Sequence, residues 1–141
     1  MAVRIFYEET APLKEIKIKR TKGIIRHILA DFSFNCGDIN IVFTSDEYLI
    51  NMNRQYLSHD YYTDIITFPV YDDDTVSGDV FISSDRVREN AEKFRVDFCN
   101  ELMRVIIHGT LHLCGMKDTT PSLRKRMTAH ENKYLDVFGS L

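Results

Sequence analysis

No apolar run in this sequence is long enough to cross a membrane, and residues 1–9 reach Glu8 and Glu9 before any stretch that could serve as an export signal. A cytoplasmic protein is the expectation. Cysteine is sparse: Cys36, Cys99 and Cys114 are odd in number and lack C-x-x-C spacing, which argues against a disulfide framework and a thiolate zinc finger. Positive charge is not in excess either. A formal net charge of −3 gives no whole-protein attraction to polyanions. No repeat, low-complexity tract or Pro/Gly-rich linker divides the chain, and its three prolines, Pro12, Pro69 and Pro121, fall where elements should end or begin. The 141 residues, 44% hydrophobic, read as a single domain (1–141) able to bury a core unaided.

Charge is unevenly placed. Lys14, Lys17, Lys19, Arg20, Lys22 and Arg26 face only Glu15, while Asp72-Asp73-Asp74 is acidic. The first run reads as the solvated face of an amphipathic segment, with a local basic face as the alternative, and the second as an exposed loop.

Ile24, Ile25, Ile28, Leu29 and Phe32 recur at helical spacing, and Asn35-Cys36-Gly37-Asp38 breaks the pattern. Ile39-Asn40-Ile41-Val42-Phe43 alternates as a half-buried strand. Thr44 and Glu47 then have the spacing of a capping box, opening a helix toward Tyr56. Two β-rich runs, Ile65 to Val70 and Gly78 to Ile82, flank the acidic loop and predict a hairpin or neighbouring strands. Ser84 reads as the N-cap of a helix with Val87, Ala91 and Phe94 on one stripe. From Asp97 to Cys114 no proline interrupts a long, central helix that Gly115 can end. Thr120-Pro121 has the N-cap/N1 arrangement of a last helix, with Leu123, Met127, His130, Tyr134 and Phe138 on its stripe. The fold class is therefore α+β: a small mixed sheet packed with about five helices, in an order the pattern does not specify.

His108 and His112 stand four residues apart near the end of the long helix, so both imidazoles leave one face a turn apart. Gly115 lets the chain turn back, and Asp118 follows as a third, harder ligand. His-x-x-x-His-x-x-Gly-x-x-Asp has the spacing of a metzincin site, but Gly109 occupies the place where a zinc peptidase keeps its glutamate base. Peptide hydrolysis by that route is disfavoured. Two neutral imidazoles and a carboxylate around one divalent ion, Zn2+ by ligand chemistry, leave about +1 charge, which suits a phosphodiester transition state. The catalytic group is then the metal-bound water itself, with no separate side-chain base assigned. The remaining histidines carry less: His130 lies on an apolar stripe, His27 and His59 lack partners in sequence, and Cys114 reads as a buried small hydrophobe.

Taken with Thr63-Asp64-Ile65-Ile66-Thr67-Phe68-Pro69 and Gly78-Asp79-Val80-Phe81-Ile82-Ser83, the histidine motif resembles the YbeY family of bacterial endoribonucleases and rRNA maturation factors. The resemblance runs over residues 53–131. It implies an α+β fold with the metal helix at the floor of a cleft, and metal-dependent, single-strand-preferring cleavage of RNA in rRNA processing and small-subunit maturation. Partners implied are rRNA precursor and the small ribosomal subunit or its proteins, with no membrane. Carried over, the roles make His108 and His112 metal ligands, with Asp118 where most members have a third histidine. Asp64 and Thr67 match strand residues that line the family's cleft. In the turn Asn53-Arg54-Gln55-Tyr56-Leu57-Ser58-His59-Asp60, Leu57 stands where the family has an arginine for phosphate; Arg54 and Lys117 are the cations placed to replace it. The alternative function is a non-catalytic ribosome-assembly factor whose ion only staples the fold.

Overall fold

The computed structural model describes residues 1–59 and 62–141; Asp60, at the end of the turn read above, lies outside the described residues. The elements run β1 (Val3–Glu8), α1 (Ile18–Asp31), β2 (Asn35–Thr44), α2 (Asp46–Leu57), β3 (Ile65–Asp72), β4 (Thr75–Ser83), α3 (Ser84–Phe94), α4 (Phe98–Leu113) and α5 (Pro121–Ser140). The four strands form one mixed sheet in the order β1-β2-β4-β3. β1 lies parallel to β2 and β2 parallel to β4, while β3 and β4 form the antiparallel hairpin that the flanked acidic loop predicted. Asp72, Asp73 and Asp74 are exposed at its tip.

The sheet's alternation supplies one apolar face. Ile39, Ile41 and Phe43 of β2 and Val76, Val80 and Ile82 of β4 are fully buried. Against this face lies α4, which also packs on α1, α3 and α5 and is thus the central helix. Its Leu102, Met103, Val105, Ile106, Ile107, Leu111 and Leu113 are all buried. A helix apolar around most of its circumference is stable only where neighbours cover it on several sides.

Several boundaries differ from the sequence reading, each for a tertiary reason. Residues 3–8 pair with Ile39–Thr44 and make a strand that the pattern reading did not mark. Asn35 and Cys36, read as part of a helix break, pair with Thr75 and Val76; a register shift between Cys36 and Ile39 absorbs Gly37 and Asp38, so β2 starts four residues early. Thr44 stays in the ladder opposite Ser83, and the N-cap of α2 moves to Ser45, whose Oγ accepts from the Tyr48 N–H at 3.1 Å. Likewise Ser83, not Ser84, caps α3 by accepting from the Arg86 N–H at 3.1 Å, while the buried Ser84 hydroxyl donates to the Thr44 carbonyl. Phe94 projects past the packed stripe of α3 and is 57% exposed. No helix among the described residues is long and apolar enough to cross a membrane.

Candidate metal centre

The end of α4 is closed by a glycine turn that also builds the site. Gly115 adopts φ +92°, a backbone region that glycine enters at little cost. Its N–H donates to the His112 carbonyl at 2.9 Å, and the Met116 N–H donates to the Leu111 carbonyl at 3.1 Å, the paired bonds of a Schellman cap. The reversal turns the Met116 carbonyl back to the helix, where it accepts from His112 Nδ1 at 2.8 Å. Two residues later Asp118 faces both histidines.

His108 Nε2 and His112 Nε2 are 2.9 Å apart, and Asp118 Oδ2 lies 3.4 Å from the first and 3.6 Å from the second. Tetrahedral ligands about 2.0–2.1 Å from a zinc ion sit about 3.3 Å from one another. The observed triangle brackets that spacing, and these three donors form a cluster able to hold a metal ion.

The outer nitrogens decide the inner ones. His108 Nδ1 faces Glu131 Oε2 at 2.6 Å and His112 Nδ1 faces the Met116 carbonyl, and both partners can only accept when Glu131 is ionised. Both Nδ1 atoms therefore carry hydrogen, leaving two Nε2 lone pairs and a carboxylate oxygen aimed at one point. Such convergence is repulsive until a cation occupies it. Asp118 is where the sequence placed it, and all three side chains are partly exposed, so the centre is reachable from solvent.

Around His108 opens a cleft of about 310 Å³ lined by Asp64, Glu101, Arg104, Asp118 and Glu131. Arg104 donates from Nη1 to Glu131 Oε1 at 3.0 Å and from Nη2 to Asn132 Oδ1 at 2.8 Å, joining α4 to α5. Burial raises the Asp64 carboxyl above its ordinary value, with His108 and a backbone hydrogen bond opposing and the Glu131 charge adding to it. Burial likewise raises Glu101, reinforced by the charge of Asp64. For His108 burial favours the neutral ring, but the hydrogen bond and charge of Glu131, then Asp118 and Asp64, outweigh it and raise the imidazole above its usual value. The cleft carries a negative field that favours any cation at the three donors.

Of the other residues singled out in sequence, Asp64 is brought to this cleft. Thr67 pairs with Val80 within the hairpin and is absent from the described lining. Arg54 lies on the exposed side of α2, reaching Asn51, and Lys117 lines a neighbouring cavity. Leu57 ends α2, 41% exposed. Cys114 packs against the core as read, its thiol pushed up to about 12 by burial. His130 is half-buried near Phe32, and its Nδ1 lies 3.0 Å from the Arg126 carbonyl.

Sequence reasoning missed Glu101, Arg104 and Glu131. A signal existed for two: Arg104 is one turn before His108 on the same face, and Glu131 sits four after Met127 and three before Tyr134, a carboxylate at a buried position of α5. Gly109 gains a second meaning. A Cβ there would stand 2.6 Å from Ile65 Cδ1 and 3.0 Å from Val80 Cγ1, so position 109 faces the sheet at the crossing of α4 and has no room for a glutamate.

Known proteins match this chain along nearly its whole length. The family described as Endoribonuclease YbeY matches residues 6–139. A protein of that name from Phocaeicola vulgatus is 49% identical over 134 residues, covering 95% of this chain and 97% of its relative. Another from Parabacteroides distasonis is 48% identical, covering 94% of this chain and 93% of that one. Among solved structures, a solution structure of a protein from Thermotoga maritima aligns with TM-score 0.69 at 28% identity, over 97% of this chain and 89% of the other.

Proposed function

The chain belongs to the YbeY endoribonuclease family, and from that membership we propose that it is a metal-dependent, single-strand-preferring endoribonuclease of rRNA processing and small-subunit maturation. It acts in the cytoplasm, on rRNA precursor and in association with the small ribosomal subunit. The observation that carries the reading is the convergence of His108 Nε2, His112 Nε2 and Asp118 Oδ2.

These three side chains hold one divalent ion, Zn2+. Glu131 and the Met116 carbonyl orient the two rings by accepting from their Nδ1 atoms, which keeps both Nε2 lone pairs on the ion's side. When bound, the ion supplies Lewis acidity and an activated water. The two neutral rings and one carboxylate leave about +1 charge facing the cleft, matched to a transition state that gathers negative charge on phosphate oxygens. Asp64, in the same cleft, contacts the substrate from the strand side; Thr67 and Arg54 belong to the approach surface. The endoribonuclease designation of the relatives supports turnover over a purely structural ion.

Elemental analysis beside a cleavage assay tests the reading. The parent is expected to hold one ion per chain and to cut single-stranded RNA, and His112→Ala to lose both. Undiminished cutting by the mutant would place the activity elsewhere.

A further inference from the structure

An RNA strand needs cationic contacts beyond the phosphate at the metal, and neither the metal cleft nor the groove over α2 offers a surplus of them among the described residues. The metal cleft sets four carboxylates, Asp64, Glu101, Asp118 and Glu131, against Arg104. The larger groove over α2 includes Glu9 and Asp79 in its lining and, among the described residues, neither lysine nor arginine.

The cavity on the other side of the Gly115 turn has the opposite character. It holds about 360 Å³ and is lined by Phe32, Cys114, Met116, Lys117, Leu123 and Arg126 along with Gly115: two cations over an apolar floor, with no carboxylate among the described lining residues. Lys117 and Arg126 are exposed, whereas Phe32, Cys114 and Leu123 are half-buried. The cavity shares a wall with the metal centre. Lys117 immediately precedes the ligand Asp118, and Met116, in the lining, gives its carbonyl to His112.

The geometry points to a nucleotide subsite for single-stranded RNA in this cavity, with a base against the Phe32 ring and a neighbouring phosphate between Lys117 and Arg126. The inference rests on the RNA-cleaving reading above. An apolar pocket rimmed by cations accepts any base by its π-face and any backbone by its charge, which matches a single strand rather than a duplex. It would also give a chain with leucine at position 57 and a net charge of −3 a hold on the strand, through two cations beside the metal centre.

The test uses the zinc-loaded protein and a fluorescein-labelled, ten-nucleotide 2′-O-methyl RNA, shown intact on a gel after each titration, with binding followed by anisotropy over a range of salt. The double substitution Lys117→Ala with Arg126→Ala should weaken binding at least ~10-fold near 0.1 M salt and flatten the log–log salt slope by about 0.7, the contribution of one single-strand phosphate. Phe32→Leu, which keeps an apolar side chain on the core, should weaken the normal strand roughly 5- to 100-fold and leave a strand of abasic sites nearly unaffected. Elemental analysis should find one ion per chain in every variant. The subsite is refuted if the double variant binds with the parent's affinity and slope, or if Phe32→Leu weakens normal and abasic strands alike. If the parent itself neither binds nor cuts any single strand, the RNA-cleaving reading falls and takes the subsite with it. If the parent binds and cuts while the variants match it, only the subsite falls.

Discussion

Glu131 Oε2 lies 2.6 Å from His108 Nδ1, and the other oxygen of the same carboxylate accepts from Arg104 at 3.0 Å. One buried acid on α5 thus ties the first histidine of the candidate metal cluster on α4 to a cation one helical turn before it. The arrangement aligns the ring and raises its basicity toward a metal. Glu131→Gln should lower metal affinity by about 10- to 100-fold, and Glu131→Ala by at least as much. Competition with a chromophoric chelator measures this directly. Unchanged affinity in both variants would show that the ring is oriented by packing alone.

Metal affinity and apo stability should respond to pH in opposite directions. His108 is raised above its ordinary value in the metal-free protein, so protons compete for its ring and affinity should fall as pH drops through that raised value. In the apo protein the sign reverses. A group whose folded value is raised contributes stability that is present below its unfolded value and lost as pH rises through the folded one. His108, Asp64 and Glu101 all have raised values, so the apo melting temperature should decline from mildly acidic toward neutral pH. The difference between holo and apo melting temperatures should therefore widen with rising pH. Calorimetry at fixed zinc would reveal a constant gap if these groups were uncoupled from the ion.

Gly109 sits where α4 crosses β3 and β4, with Ile65 and Val80 occupying the space of a side chain. Gly109→Val should destabilise by on the order of 2–3 kcal/mol, because the overpacking cost outweighs valine's better helix propensity. Urea unfolding with an unchanged m-value would report it. A variant as stable as the parent would mean that the crossing yields without cost.

In the proposed ligand set, Asp118 would place a formal negative charge on the ion where a third imidazole would place none. Asp118→His should keep one ion per chain and move the acid limb of the pH–rate profile down by on the order of one unit, since a less neutralised ion acidifies its water more strongly. An unmoved limb would assign that ionisation to a group other than the ion's water.

The clustering of His108, His112 and Asp118 was legible because its geometry is local. A four-residue helical spacing, a glycine able to adopt positive φ and a carboxylate three residues on are facts of one segment, and the segment forms them as written. The hairpin and the α5 cap at Thr120, whose Oγ accepts from the Leu123 N–H, are local in the same sense. The cap of α2 moved from Thr44 to Ser45 because Thr44 is held in the sheet ladder, and that of α3 from Ser84 to Ser83 because the Ser84 hydroxyl is drawn to the Thr44 carbonyl, both partner-dependent facts.

By itself the sequence determined which residues could bind a metal, that the peptidase base was missing, and that helices and a small mixed sheet would share one core. Tertiary structure alone decided the strand order, the addition of β1, the pairing of Glu131 with His108, and the separation of an acidic metal cleft from a cationic cavity on the far side of Asp118. The reason is range. Backbone periodicity and turn chemistry act over a few residues, whereas Glu131 is 23 positions from His108 and Phe32 is 85 from Lys117, so only packing brings them to one site.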